Sequence, residues 1–503
     1  MPIQLSDSEL ISARFLSGDG SHLTTLSFYV GQLTDLTLPK GLKSLTTLDV
    51  TGNKLTSLTL PADLKNLTTL ALSYNQLTNL ILPAWRTNLT ELLLDSNQLT
   101  DFSFLSGLGS LATLFLRANQ LTNLTLPADL TNLTTLYLDD NQLTDISFIS
   151  SLTNLITLSI MNNQLASLTL STGLIGLTTL DLSGNQLTNL NLPTGLTSLT
   201  TLDLRGNELT SLTLPSDLVN LTTLNLHSNR LLNFPLPPGL TSLIAIDLAN
   251  NQLMSLTLPI GLTSLATLDL HLNQLTNLTL SPGLTSLTTL DLSFSTAPNF
   301  TLSGDGSHLT ALGLHGRPFF CPFGWIEFLW NPLTSLTLPA GLTNLTSLDL
   351  SFSQLANLTL PVGLTSLSTL DLGYNQLTNL TLPADLTSLT TLNLYNNPLE
   401  RFVVPEPLAQ GALAALIADL IAQGVSVSTY PLAMSLVARP WTVPGIFESL
   451  LNGPPGTYRI QVTPDFSTWT DIDPAVNVTG SVLVTDPSAN ARPHSFYRAV
   501  RSN

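Results

Sequence analysis

The feature that most constrains this chain is a period. An asparagine in the context LxxLxLxxNxL falls at Asn53, Asn75, Asn97, Asn119, Asn141, Asn163, Asn185, Asn207, Asn229, Asn251 and Asn273, a spacing of 22 residues each time. The register extends upstream to Gly31 and downstream through Ser295 and Arg317. A step of 14 then leads to Asn331, and the 22-residue step resumes through Ser353, Asn375 and Asn397, giving 18 registers. No single repeat can bury its own leucines, so a stable fold must stack them, and the core is collective.

One repeat, "LTTLDLSGNQLTNLNLPTGL" (177–196), assigns the parts. "LDL" predicts a short strand whose two leucines point to one side. Asn185 stands where the chain leaves the strand, and its amide can bond the backbone of the turn. The rest returns along the other side, and Pro193 favours an irregular path over a long helix.

The iterated motif resembles the leucine-rich repeat family. "LTDFSFLSGL" (99–108) and "LTDISFISSL" (143–152) are similar to the 22-residue repeats of bacterial internalin-type proteins. The resemblance covers roughly residues 20–400. It implies a solenoid of the α/β horseshoe class, β-dominated with few helices, with a parallel sheet on the concave face and binding through that face.

Composition limits the partners. Charged residues are 10% of the chain, against about 25% in an ordinary soluble domain. The net charge of −17, with 16 Lys and Arg, repels nucleic acid and anionic membranes and favours cations, basic proteins or neutral ligands. Cys321 is the single cysteine, so no internal disulfide forms. No run reaches the roughly 20 apolar residues of a membrane span; the nearest, 411–427, is broken by Asp419 and Gln423. The start "MPIQLSDSELISARFL" has no signal-peptide pattern. Either the chain is cytoplasmic or its true start lies upstream of Met1, and the second is the reading favoured here.

Candidate binding residues are those where the repeat departs from itself. The residue between the two strand leucines should face solvent. Down the stack this column is mostly Asp or Asn, but three consecutive positions are Leu93, Phe115 and Tyr137. Beside them the next outward column reads Asp95, Arg117, Asp139, Met161, with Glu91 on the repeat of Leu93. An apolar patch rimmed by charge marks an interaction site, and Tyr and Arg are common interface anchors. The bland alternative is surface drift in a tolerant repeat. As surface positions, Phe115, Tyr137 and Arg117 should be replaceable by Ala with folding nearly intact.

Other patterns are weaker. The Asp column could hold calcium, since carboxylates about 5 Å apart repel, but hydration and salt also relieve that. His227, His271 and His315 share one column on alternate repeats, about 9–10 Å apart, too far for one metal. No metal site or cofactor is expected. No HExxH, GxSxG, phosphate loop or CxxC pair is present, so no enzyme is expected. "SGDGSH" at 17–22 and 303–308 is duplicated repeat material whose Asp-Gly predicts a turn. Sequons at Asn66, Asn123, Asn220, Asn277 and Asn379 arise from the repeat text itself.

Two regions break the pattern. "HGRPFFCPFGWIEFLWNPL" (315–333) holds Phe319, Phe320, Phe323, Trp325, Phe328 and Trp330, and the register there shortens by 8 residues, 22 minus 14. It reads as an aromatic protrusion, as a hinge, or as a repeat translated out of frame. After Asn397 a helix is predicted, opened by Pro405 or Pro407, striped by Leu413, Leu416, Ile417, Leu420 and Ile421, and closed by Gly424. Strand-like runs are present at 457–463, 467–472, 481–485 and 495–500. They resemble modules that end large secreted proteins of environmental bacteria, which implies an extracellular or cell-surface setting.

The expected organisation is an N-terminal cap (1–22), leucine-rich repeats (23–400), a helical C-terminal cap and linker (401–435) and a small all-β domain (436–503). The expected function is a non-enzymatic scaffold binding an unknown protein or glycan. The alternative is a structural, self-associating surface protein with no discrete ligand.

Overall fold

The computed structural model describes residues 2–5, 22–28, 31–83, 87–295, 297–320, 326–329, 331–440, 446–489 and 495–502. The chain divides into two units, Met1–Leu268 and Asp269–Asn503.

In the first unit each repeat contributes one strand of a parallel sheet, from Thr25–Phe28 to Ala245–Asp247. The pairing register is the sequence period: Leu26 lies opposite Leu48, Leu114 opposite Leu136, Leu202 opposite Leu224. Pro2–Leu5 extends the sheet by pairing in parallel with Thr25–Phe28; most of the expected N-terminal cap lies outside the described residues. Inward leucines such as Leu180 and Leu182 are fully buried, each stabilising by roughly 1.5–3 kcal/mol.

The asparagine column is a buried ladder. Asn185 Nδ2 donates to Ile160 O (2.9 Å) and Leu182 O (3.0 Å), and its Oδ1 accepts from Leu165 N (3.1 Å). One amide thus satisfies backbone groups of two adjacent repeats, which is why a residue only 6% exposed is polar. Threonines form a second ladder: Thr178, Thr200 and Thr222 each donate Oγ1 to the carbonyl of the residue 22 positions earlier, at 3.0–3.1 Å. Asn66 and Asn220, two of the sequon residues, donate Nδ2 to Lys43 O and Thr197 O (both 2.8 Å). The return paths are irregular, with 3-10 turns at Ser103–Leu105 and Ser147–Ser151 in the two internalin-like repeats.

In the second unit the sheet strands are Thr289–Asp291, Ala311–Gly313, Ser347–Asp349, Thr369–Asp371 and Thr391–Asn393, paired in parallel in that order. Ala311 lies directly opposite Ser347, 36 residues on. The broken register is therefore not a shortened repeat. It is a repeat of ordinary size enlarged by 14 residues, and the insert carries an antiparallel hairpin, Arg317–Phe320 with Ile326–Leu329. Asn331 serves as the turn asparagine of the enlarged repeat, donating to Leu314 O (2.7 Å). Cys321, Phe323, Trp325 and Trp330 lie outside the described residues. The second "SGDGSH" is a turn in which Asp305 Oδ1 accepts from Ser307 N (3.0 Å).

The chain leaving the repeats forms a strand before its helix. Arg401–Pro405 pairs in parallel with Asn379–Thr381 and with Ser426–Tyr430, and Glu406–Gln410 and Ala414–Ala422 are the helices between them. Ile417 and Leu420 are buried, whereas Ile421 is exposed. Two small antiparallel sheets complete the chain. One joins Ser435–Ala438, Phe447–Asn452 and Ser481–Asp486. The other places Gly456–Thr463 between Phe496–Arg501 and the short strands Thr470–Asp471 and Ala475–Asn477. Leu451, Tyr458, Ile460, Ala475, Val484 and Ala499 form their core. No helix among the described residues is long and apolar enough to cross a membrane.

Candidate functional site

Strands Glu91–Leu93, Thr113–Phe115 and Thr135–Tyr137 lie side by side, with Leu93 opposite Phe115 and Phe115 opposite Tyr137. All three side chains are half-buried. The Phe115 and Tyr137 rings meet edge to face, centroids 4.6 Å apart at 82°, a favourable quadrupole arrangement. The Arg117 guanidinium lies 3.8 Å from the Tyr137 centroid and 5.5 Å from that of Phe115. Its Nε donates to Asp139 Oδ2 at 2.6 Å. The result is one apolar-cationic surface formed by residues from adjacent repeats.

Asp139 is 2% exposed. Besides Arg117, it accepts from Ser159 Oγ (2.5 Å) and Met161 N (2.9 Å). It therefore holds Arg117 in place rather than offering a contact at the rim. Glu91 accepts from Thr69 Oγ1 (3.3 Å). Asp95 Oδ1 accepts from Arg117 N (2.8 Å); burial is the larger influence and raises its pKa, against the lowering effect of that hydrogen bond and of the Arg117 charge.

The Asp column has a local explanation that sequence reasoning missed. Asp181, Asp203, Asp247, Asp291 and Asp349 each accept, through Oδ1, the N–H of the residue two positions on, at 2.9–3.1 Å. This Asx turn closes the strand exit. Where Leu93, Phe115 and Ser159 replace the acid, a different scheme takes over. Ser73 Oγ accepts from Asp95 N (3.1 Å), Asp95 from Arg117 N, and Asp139 from Met161 N. Each donor is satisfied across the strands instead of along one. Leu93 and Phe115 thus sit on strands whose exit N–H groups are paired across the sheet, with Tyr137 on the strand beside them. The signal was in the sequence: the acid moves from the inner column to the outer one at Asp95 and Asp139.

A cavity of about 520 Å³ lies between the last repeats and the small sheets, lined in part by Asn379, Asp385, Tyr430, Pro454 and Arg501. Tyr430 donates its hydroxyl to Leu382 O (2.6 Å), and burial raises its pKa. No nucleophile–base pair lines this cavity among the described residues.

Models of leucine-rich repeats match residues 131–173, 175–218 and 365–409, and a BspA-type leucine-rich repeat region matches 21–138. No curated protein sequence matches the chain. Among solved structures, YopM from Yersinia enterocolitica is 30% identical, covering 74% of this chain and 80% of its own, with a TM-score of 0.48. The functional domain of InlJ from Listeria monocytogenes is 22% identical, covering 86% and 88%, TM-score 0.47. The Toll–Spätzle complex of Drosophila is 22% identical, covering 80% of this chain and 53% of that one, TM-score 0.52.

Proposed function

This chain is a leucine-rich repeat protein, and on that premise we propose that it is a non-enzymatic binding scaffold whose principal site is the Leu93–Phe115–Tyr137–Arg117 surface. One observation supports the site above the others: Arg117 is fixed over two aromatic rings by a buried carboxylate. A guanidinium held this way loses little conformational entropy on binding, and aromatic rings with two χ angles lose little more. The ligand that suits it is a protein segment presenting a carbonyl or carboxylate beside an apolar group; a glycan ring stacking on Tyr137 is the second class. The BspA-type and internalin-like resemblances support secretion or display at a bacterial surface. The net charge supports a neutral or basic partner over nucleic acid.

The test compares the intact chain with Phe115→Ala/Tyr137→Ala in pull-downs from surface extracts of its native community. Arg117 is kept, because removing it would strand Asp139. A partner captured by the parent and lost by a folded double variant is the expected result. Equal capture by both, or capture only of further copies of the chain, would overturn this site and favour a self-associating surface protein.

A further inference from the structure

A second cluster has a composition that the binding surface does not use. His271 follows strand Thr267–Asp269, and its Nδ1 lies 2.7 Å from Asp269 Oδ1. Asp291, on the next repeat, completes a group whose ligand atoms all lie within 4.8 Å of one another. All three are half-buried, with side-chain exposures of 23% for His271 and 30% for Asp269. We propose that Asp269, His271 and Asp291 form a site for one divalent first-row transition ion of the zinc class.

The donor set selects the ion class. A neutral imidazole disfavours magnesium and calcium, and two carboxylate oxygens disfavour soft copper(I), which leaves the divalent first-row ions from manganese to zinc. Ligands about 2.0–2.2 Å from such an ion stand roughly 3–3.5 Å from each other. The His271–Asp269 pair is near that already, and the longer separation closes by a rotamer adjustment of half-exposed side chains. Two carboxylates offset the ion's charge, and the open coordination positions go to water.

The neighbours leave room. Opposite Asp291 on the next strand stands Gly313, where a Cβ would come within 3.2 Å of Asp291 Oδ1 and 3.1 Å of Ser293 Oγ. Ser293 already anchors Asp291 through its N–H (2.9 Å) and Oγ (2.5 Å). The same column supplies internal comparisons. His227 has Asn225 on its own strand and is 3.8 Å from Asp247, so one carboxylate is replaced by an amide. His315 follows Gly313, and its Nδ1 lies 2.8 Å from Gly316 O. Only His271 among these three joins two acids. The spacing between the histidines does not reveal this site, because the partners of His271 are Asp269, two residues back, and Asp291, on the next repeat.

The test is a titration of the full, chelator-treated chain with cobalt(II), read by visible absorption and followed by competition with zinc. One saturable site is expected. His271→Ala and Asp291→Asn should each weaken binding by more than the roughly 10–100-fold typical of an outer-shell change, while His227→Ala should leave it unchanged. Zinc should raise the parent's melting temperature by mass action and leave that of Asp291→Asn unmoved. If His271→Ala does not fold, Asp291→Asn carries the test, since an amide oxygen can still accept from Ser293. Binding unchanged in Asp291→Asn, binding lost in His227→Ala, or no saturable binding at millimolar metal would each overturn the site.

Discussion

The guanidinium of Arg117 packs on the face of Tyr137 because Asp139, one repeat further on, pulls its Nε to 2.6 Å. The ion pair has unequal ends: the Arg117 side chain is 38% exposed and that of Asp139 is 3% exposed. Breaking such a pair costs mainly through the buried partner left behind. Arg117→Ala is therefore expected to destabilise by about 2–4 kcal/mol, and Asp139→Ala by a similar amount, because it also strands Met161 N and Ser159 Oγ. Urea unfolding of the two variants and the double variant checks this. The double should cost clearly less than the sum. Additive effects, or a loss under about 0.5 kcal/mol for Arg117→Ala, would mean the pair is an ordinary surface contact. The sequence alone predicts that replacing Phe115, Tyr137 and Arg117 together by Ala leaves folding nearly intact; the buried Asp139 beside Arg117 predicts a cost for the Arg117 change.

Asp95 gives a pH prediction. Burial raises its pKa from 3.8 in the folded chain, so the fold binds this proton more tightly than the unfolded chain does. Its contribution to stability is greatest below the unfolded value and falls as pH rises through 3.8 to the raised folded value, staying low above that. Asp95→Asn keeps an oxygen that can accept from Arg117 N and removes the charge. The variant should compare better with the parent at pH 7 than at pH 3. Melting curves at the two pH values measure this, and a stability difference that is equal at both, or larger in the variant's favour at pH 3, would refute the assignment.

The stacked fold was legible because leucine and asparagine spacing records which side chains point inward. The candidate surface was legible only as a set of positions. That Leu93, Phe115 and Tyr137 are neighbours is fixed by a 22-residue register, but the burial of Asp139 depends on Ser159 and Met161, which carry no visible signal. A threonine hydroxyl facing water and one donating to the neighbouring repeat's carbonyl have the same letter, so the second ladder is silent in the sequence. The enlarged repeat is ambiguous for an arithmetical reason: a 36-residue step divides as 22 and 14, and an insertion and a truncation give the same count. At Arg401–Pro405 the prolines marked the helix start correctly, but the buried Val403 and Val404 before them belonged to a strand.

Tyr430 tests how the last repeats are joined to the strand that closes them. It is 0% exposed, and its hydroxyl donates to Leu382 O at 2.6 Å. Tyr430→Phe keeps the ring and leaves that carbonyl without the donor, an expected loss of about 1–2 kcal/mol. Hydrogen exchange should show faster opening of Asn379–Thr381 and Arg401–Pro405, with the first unit unchanged. Unchanged exchange in these strands would mean that the hydroxyl adds nothing to the ring's packing.

Ser295 offers a prediction of opposite sign. It occupies the asparagine column, is 4% exposed, and makes a 3.4 Å hydrogen bond to Leu275 O. An asparagine at this position elsewhere, such as Asn185, joins two carbonyls and one N–H. The equivalent groups here are Leu270 O, Leu292 O and Leu275 N, and the preceding Asn273 already donates to Leu270 O (3.0 Å). Ser295→Asn should thus complete the ladder and stabilise by about 1 kcal/mol, seen as a higher urea midpoint with an unchanged slope. The gain depends on room for two more heavy atoms, and the neighbouring repeats show that their backbones provide it. A lower midpoint would mean that Phe294, larger than the glycine, serine or asparagine found before most ladder asparagines, has closed the space the amide needs.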